Sequence, residues 1–226
     1  MAVDASGYPF IGGALLGAVL AGWLVGLPWA VPFLVLTGFF LFFFRDPERL
    51  PTSTPQAVLS PADGRVMVAG PPTGQAVPPG EWNQISIFLS PADVHVNRMP
   101  IGGRVTRVQY HPGRFLPAYR AEAGDFNEYT EVSVDHDGQP IVFRQIVGIL
   151  ARRIVCRAKE GDVVKAGDRF GIMKFGSRMD LFLPASAMLT VKPGDKVIGG
   201  VTVIALLAPP EDQAVGERVA YAQRQD

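Results

Sequence analysis

Residues 5–44 carry no charge. A run of that length cannot form the surface of a water-soluble domain, so it sets the first constraint on the fold. One helix of forty residues would extend about 60 Å, twice the roughly 30 Å hydrocarbon core of a bilayer. Leu27-Pro28-Trp29 and Pro32 interrupt the middle. Two arrangements remain: a single span with the rest in the interface, or a hairpin of two short helices that enters the membrane and turns back. Each half is short for a full span, which favours the hairpin. Gly13, Gly17 and Ala21 recur every four residues, as do Gly22 and Gly26. Small faces of this kind let helices pack closely in lipid, although glycine is also simply common there. A secretory signal would need a basic leader and a shorter apolar run, and Asp4 is the only charge before this one. Arg45 and Arg49 follow the run and no Lys or Arg precedes it. That places the protein at the cell membrane with its globular part on the cytoplasmic side.

Residues 1–44 are therefore expected to be a membrane-associating segment, and residues 45–226 a separate body. A breaker-rich linker, "FFFRDPERLPTSTP", joins them. Beyond it the pattern changes to short apolar runs bounded by turn residues. "GRVMVAG", "NQISIFLS", "GGRVTRVQY", "EYTEVSVDHDGQPIVFRQIVG" and "RRIVCRA" read as strands, with a hairpin turn at "DHDG", residues 135–138. No long amphipathic helix appears between Pro51 and Leu207, which excludes an alternating β/α architecture. The expected class is mainly β.

Lys plus Arg equals Asp plus Glu at 21 each, so nothing global points to nucleic acid. Three His and one Cys, without C-x-x-C or H-E-x-x-H, are a poor stock of ligands for a structural zinc site, and no metal is expected. Cys156 has no intrachain partner for a disulfide.

A weak repeat links "EGDVVKAGDRFGIM" from Glu160 with "PGDKVIGGVTVIAL" from Pro193. Each has Gly-Asp, an apolar pair, a turn glycine and another strand. The pair resembles the hairpins of biotinyl and lipoyl carrier domains, which form a flattened β sandwich, so a compact sandwich or barrel-like body is expected. Between the units lies "KFGSRMD", residues 174–180. Lys174 occupies the place of a carrier lysine, but without the Met-Lys-Met or Asp-Lys-Ala context.

"SPADG" at 60–64 and "SPADV" at 90–94 form a second echo. Ser-Pro-Ala-Asp makes a turn in which Asp accepts backbone N–H bonds. The alternative is that Asp63, His95 and Ser177 meet in space, where an acid orients an imidazole and the imidazole takes a proton from a hydroxyl. His111 and His136 sit beside turns and read as solvated loop residues. Gly-x-Ser-x-Gly is absent, so Ser177 does not read as a hydrolase nucleophile. A serine preceded by glycine has another use. Gly176 has no Cβ, its carbonyl is open, and an activated Ser177 hydroxyl can attack it. β-Elimination of the resulting ester cleaves the chain and leaves a pyruvoyl group.

The blocks "FFRDPER", "SPADGRV", "ISIFLSPADVHVNRMP", "NEYTEV", "QIVGILARRIV", "GDVVKAGDRFGIMKFGSRMDLFLP" and "VKPGDKVIGG" occur in this order from about Phe44 to Ala205. Together they resemble the short, pyruvoyl-dependent bacterial phosphatidylserine decarboxylases. The resemblance implies cleavage between Gly176 and Ser177 into a β subunit, 1–176, and an α subunit, 177–226, that stay together; a homo-oligomer is left open. It implies a pyruvoyl group at Ser177 that forms a Schiff base with phosphatidylserine in the membrane and releases phosphatidylethanolamine, a step of phospholipid biosynthesis. Asp63 matches the acid of the cleavage triad. His95 matches the first histidine of an H-x-x-H pattern, while Arg98 stands where the second would be. His95 is the candidate for cleavage, for reprotonating the decarboxylated carbon, or for both. Arg178 and Lys174 are candidate phosphate contacts or solvated residues. A soluble pyruvoyl amino-acid decarboxylase would not need residues 5–44, and a tethered carrier would need a modified Lys174. Cleavage is expected to need only the β body.

Overall fold

The computed structural model describes residues 2–51, 54–149, 154–174 and 176–209. Parts of four expectations lie outside them: Thr52 and Ser53 of the linker, residues 150–153 of the "QIVGILARRIV" and "RRIVCRA" blocks, Phe175, and residues 210–226 of the expected α subunit.

The uncharged run forms two helices, α1 (Tyr8–Leu24) and α2 (Val31–Phe43), joined by a turn at Leu27–Ala30. Gly26 enters that turn at φ +124°, and Pro28 and Pro32 sit at helix starts, where their missing N–H costs nothing. Early α1 meets late α2: Phe10 lies 5.4 Å from Phe40, and a Cβ on Gly17 would lie 2.6 Å from the Phe33 ring. The helices are thus antiparallel, as in a hairpin. Gly17 is the close-approach residue, with Ala14 and Ala18 buried beside it, whereas Gly13 faces open space. Residues 5–24 are long and apolar enough to cross a membrane. At about 20 Å, the 13-residue α2 is short for that. Both ends of the hairpin are tied to the body. Ala2–Val3 pairs with Arg45–Asp46, and Asp4 donates its N–H to the Phe44 carbonyl at 2.8 Å. Arg157 holds the Asp4 carboxylate at 2.8 Å, and against the upward push of burial the bonds from Arg157 and Ser6 keep that carboxyl below its usual range.

The body is mainly β. One antiparallel sheet of eight strands runs Val163–Val164, Gly103–His111, Tyr129–His136, Gln139–Ile146, Ser177–Pro184, Trp82–Leu89, Gly64–Gly70, Lys196–Val197. Two three-stranded sheets cover it: Ile154–Cys156, Arg169–Met173 and Val96–Arg98; and Met188–Leu189, Val203–Leu206 and Ala57–Leu59. The core lies between these layers. Period-two alternation sends Ile85, Ile87, Leu89, Val132, Val134, Ile141, Phe143, Met179, Leu181 and Leu183 into it. The "DHDG" turn joins two strands through Asp137 and Gly138, both at positive φ, as a two-residue hairpin loop requires. Among the described residues the only helix in the body is Ala123–Phe126.

The arrangement is close to twofold about the central pair of strands. Each Gly-Asp unit gives one edge strand and one covering strand. Val164 pairs with Gly103 at one edge and Val197 with Gly64 at the other. Bulges fall between Val105 and Arg107 and between Val66 and Val68. Gly167 donates to the Met99 carbonyl and Gly200 to the Ser60 carbonyl, at 2.8 and 2.7 Å. The repeat at 160 and 193 is therefore structural. The Ser-Pro-Ala-Asp echo is not: residues 60–64 take the place of 99–103, not of 90–94.

Candidate active site

Ser177 opens the central strand Ser177–Pro184, paired on one side with Trp82–Leu89 and on the other with Gln139–Ile146. Alternation puts its side chain on the core face with Met179, and Arg178 on the opposite face with Asp180. The Ser177 hydroxyl is fully buried and has no hydrogen-bond partner among the described residues. A buried unpaired hydroxyl costs on the order of 1–3 kcal/mol, so its retention asks for a reason. Gly176 takes φ +74°, a conformation that favours glycine. Its carbonyl lies against Gly148, where a Cβ would come within 2.3 Å of the oxygen. Glycine at 148 leaves that carbonyl its place.

His95 follows the turn at 90–93. Its Nδ1 lies 2.9 Å from the Asp93 carbonyl, which can only accept, so Nδ1 carries the proton. Nε2 is left as the lone-pair nitrogen and accepts the Gly176 N–H at 3.4 Å, one residue before Ser177. The Phe43 ring covers the imidazole with centroids 4.2 Å apart. Burial pushes the His95 pKa down to about 4, against the Asp93 carbonyl bond and the charges of Asp93 and Asp63. Arg45 pushes it the same way as burial. The imidazole is neutral at physiological pH, as a general base must be.

Asp63 has different partners. Both its oxygens accept from Arg49, at 2.6 and 2.8 Å, and Oδ1 also accepts the Gly199 N–H at 2.8 Å. The place beside His95 Nδ1 belongs to the Asp93 carbonyl, and Asp63 acts on the imidazole through space. Asp63, Ser90 and Asp93 line one cavity of about 650 Å³, together with Arg65 and Lys196.

Both flanking cations have partners in the structure. The Lys174 ammonium stands over the Phe10 and Phe44 rings at 4.8 and 5.9 Å, against the hairpin root. Arg178 is buried and pairs with Asp180 at 2.6 Å, and also donates to Ser86 Oγ and the Arg120 carbonyl. Its guanidinium is committed on the face of the sheet away from Ser177, so the structure does not bring it to the serine. Arg98 pairs with Asp46 at 2.9 Å. His111 stacks on Tyr129; its strand is separated from the Ser177 strand by two others, about 14 Å. His136 binds the Gly102 carbonyl through Nδ1. Neither is a solvated loop histidine, and neither reaches the site.

Sequence reasoning gave Phe43, Arg49 and Gly148 no part in the site. Arg49 was read only as a charge that sets the membrane orientation, although all three lie inside the "FFRDPER" and "QIVGILARRIV" blocks that carry the family resemblance. Membership of a block does not say which side chains meet in the fold.

Comparison with known proteins identifies a family. The family model described as phosphatidylserine decarboxylase matches residues 36–205. A phosphatidylserine decarboxylase proenzyme of Granulibacter bethesdensis is 47% identical over 89% of this chain and 84% of its own length. Those of Solibacter usitatus and Paramagnetospirillum magneticum are 45% and 40% identical, covering 83% and 95% of this chain and 88% and 91% of their own lengths. The matched region contains the hairpin root, the histidine turn and the Gly176-Ser177 junction, and the chain belongs to the phosphatidylserine decarboxylase family of carboxy-lyases.

Proposed function

We propose that this chain cuts itself between Gly176 and Ser177, gains a pyruvoyl group at residue 177, and decarboxylates phosphatidylserine to phosphatidylethanolamine for phospholipid biosynthesis. The observation that carries the reading is the unpaired, buried Ser177 hydroxyl next to a left-handed Gly176 whose amide faces His95. These residues fit a serine that is consumed rather than kept. His95 takes the Ser177 proton; Oγ attacks the Gly176 carbonyl carbon, and the Gly176–Ser177 C–N bond breaks to leave an ester and a free amine. Loss of the residue-177 α-proton breaks the Cβ–Oγ bond, releasing the Gly176 carboxylate. The dehydroalanine tautomerises to an imine, and water replaces its nitrogen as ammonia. The pyruvoyl carbonyl then supplies an electron sink for the substrate amine. His95 returns a proton to the decarboxylated carbon. Asp63 orients the histidine electrostatically.

The 177–226 fragment stays bound because its first strand lies in the middle of the eight-stranded sheet. The hairpin enters the lipid with the body on the cytoplasmic side, where Arg45 flanks its root. Arg65 and Lys196, in the cavity shared by Asp63 and Asp93, offer the phosphate its cationic partners.

Intact mass of the purified protein tests this together with turnover of phosphatidylserine vesicles. Two fragments are expected, the smaller blocked by pyruvoyl, with ethanolamine lipid formed. A single uncleaved but active chain would overturn the reading.

A further inference from the structure

The root of the hairpin is a wall of the site. Phe43 and Phe44 are completely buried, and with Val94, Val96 and Ile172 they form an apolar cluster apart from the main core. Val94 and Val96 flank His95 in the chain, so the cluster grips the histidine from both sides. Arg45 donates to the Phe42 carbonyl and, at 2.6 Å, to the Ala92 carbonyl. A segment that served only as a tether would not need its last turn seated on residues 92–96.

We propose that Phe43 is a positioning residue for His95, and that the chain cleaves itself only when the hairpin root is seated on the histidine turn. The proposal rests on the reading of His95 as the base, and it departs from the expectation that cleavage needs only the β body. The ring lies 4.2 Å from the imidazole at a 35° tilt, so it limits ring rotation while the Asp93 carbonyl pins Nδ1. Nε2 then stays turned to Gly176. The same ring excludes water, which keeps the imidazole neutral. The charged groups acting on it are Asp93 in its own turn, Arg45 on the hairpin root and Asp63 across the cavity. Lys174 lies over the neighbouring Phe10 and Phe44 rings. None of these is substituted in the Phe43 variants.

The test follows cleavage of the full-length chain, made in a short cell-free pulse with detergent micelles and shifted to buffers from pH 4 to 8. In wild type the rate should fall only as pH drops toward about 4. In Phe43→Ala, which opens the imidazole to water, the midpoint should move up by more than one pH unit, toward the ordinary histidine value of about 6.5, and cleavage at pH 7.5 should slow about tenfold. Phe43→Leu keeps the apolar seat but not the flat ring, so its thermal and pH midpoints should stay near wild type while its cleavage at pH 7.5 still slows. Phe43→Tyr should restore both rate and pH midpoint. Trp23→Ser with Trp29→Ser, at the exposed far end, should weaken vesicle binding and leave cleavage unchanged. Wild-type rate and midpoint in Phe43→Ala would overturn the proposal, as would a loss that Phe43→Tyr does not restore. Wild-type cleavage in His95→Ala would instead overturn the reading of His95 itself.

Discussion

The same four residues, Ser-Pro-Ala-Asp, occur at 60–63 and 90–93 and do different work. At 90–93 the turn closes on itself: Asp93 accepts the Ser90 N–H and hydroxyl at 2.8 and 2.7 Å, and its carbonyl then holds His95. At 60–63 the segment is nearly all buried under another part of the chain. Ser60 donates its N–H to the Thr202 carbonyl and accepts from Gly200, and a Cβ on Gly199 would lie within 3.0 Å of Ala62 backbone atoms. Asp63 is left facing outward, where Arg49 and Gly199 take it. Local turn chemistry decides where no other segment supplies partners, and tertiary contact decides where one does.

One variant sets the scale against which either aspartate is measured. Ser177→Ala has no hydroxyl to attack Gly176, so it should run as a single full-length chain and turn over no lipid. A normal two-fragment pattern on a denaturing gel would remove Ser177 from the chemistry. His95→Ala comes next. It should accumulate uncleaved, slowed by on the order of 10²–10⁴-fold, since His111 and His136 are held elsewhere. If it cleaves normally but fails to turn over lipid, His95 serves only decarboxylation.

The two aspartates come next. Asp63→Ala removes a charge acting on His95 and leaves the partly buried Arg49 unpaired. It should slow cleavage by roughly tenfold, an electrostatic effect rather than loss of a hydrogen bond. Arg49→Met should give a similar loss if Arg49 is what holds Asp63; prompt processing in both would take this pair out of the mechanism. Asp93→Ala keeps the carbonyl that holds His95 but loses the Ser90 bonds, about 1 kcal/mol of turn stability, together with a carboxylate charge that acts on His95 as Asp63 does. Its cleavage should slow by a similar amount, roughly tenfold. Wild-type cleavage in Asp93→Ala beside a tenfold loss in Asp63→Ala would show that Asp63 acts by something other than its charge on His95.

A stability measurement sharpens the histidine side. His95 has a folded pKa of about 4, below its unfolded value, so the unfolded chain binds more protons between those values. Its contribution is fully present above about pH 6.5 and is lost as pH falls toward 4, about 3 kcal/mol over the full shift. In the uncleaved Ser177→Ala background the thermal midpoint should drop over this range, and less so with His95→Gln added. Equal drops in the two chains would show that His95 is not buried as a neutral group.

The strands were legible because their signal is local. Alternating apolar residues, the "DHDG" turn and the glycines at strand starts need no knowledge of the rest of the chain. The uncharged run was legible for the same reason: its prolines marked an interruption, and the shortness of each half favoured a hairpin over a single span. The Gly176-Ser177 junction was singled out only through the ordered blocks that carry the family resemblance, since Gly-Ser alone says nothing. Which groups face each other across the site was not. Arg178 is next to Ser177 in sequence but on the other face of the sheet, because side chains alternate along a strand. Asp63 finds Arg49, and Phe43 covers His95, because sheet order and the clamped hairpin bring distant segments together. No period or turn signal encodes such a meeting: it exists only once the eight strands have paired and the hairpin root has closed over the histidine.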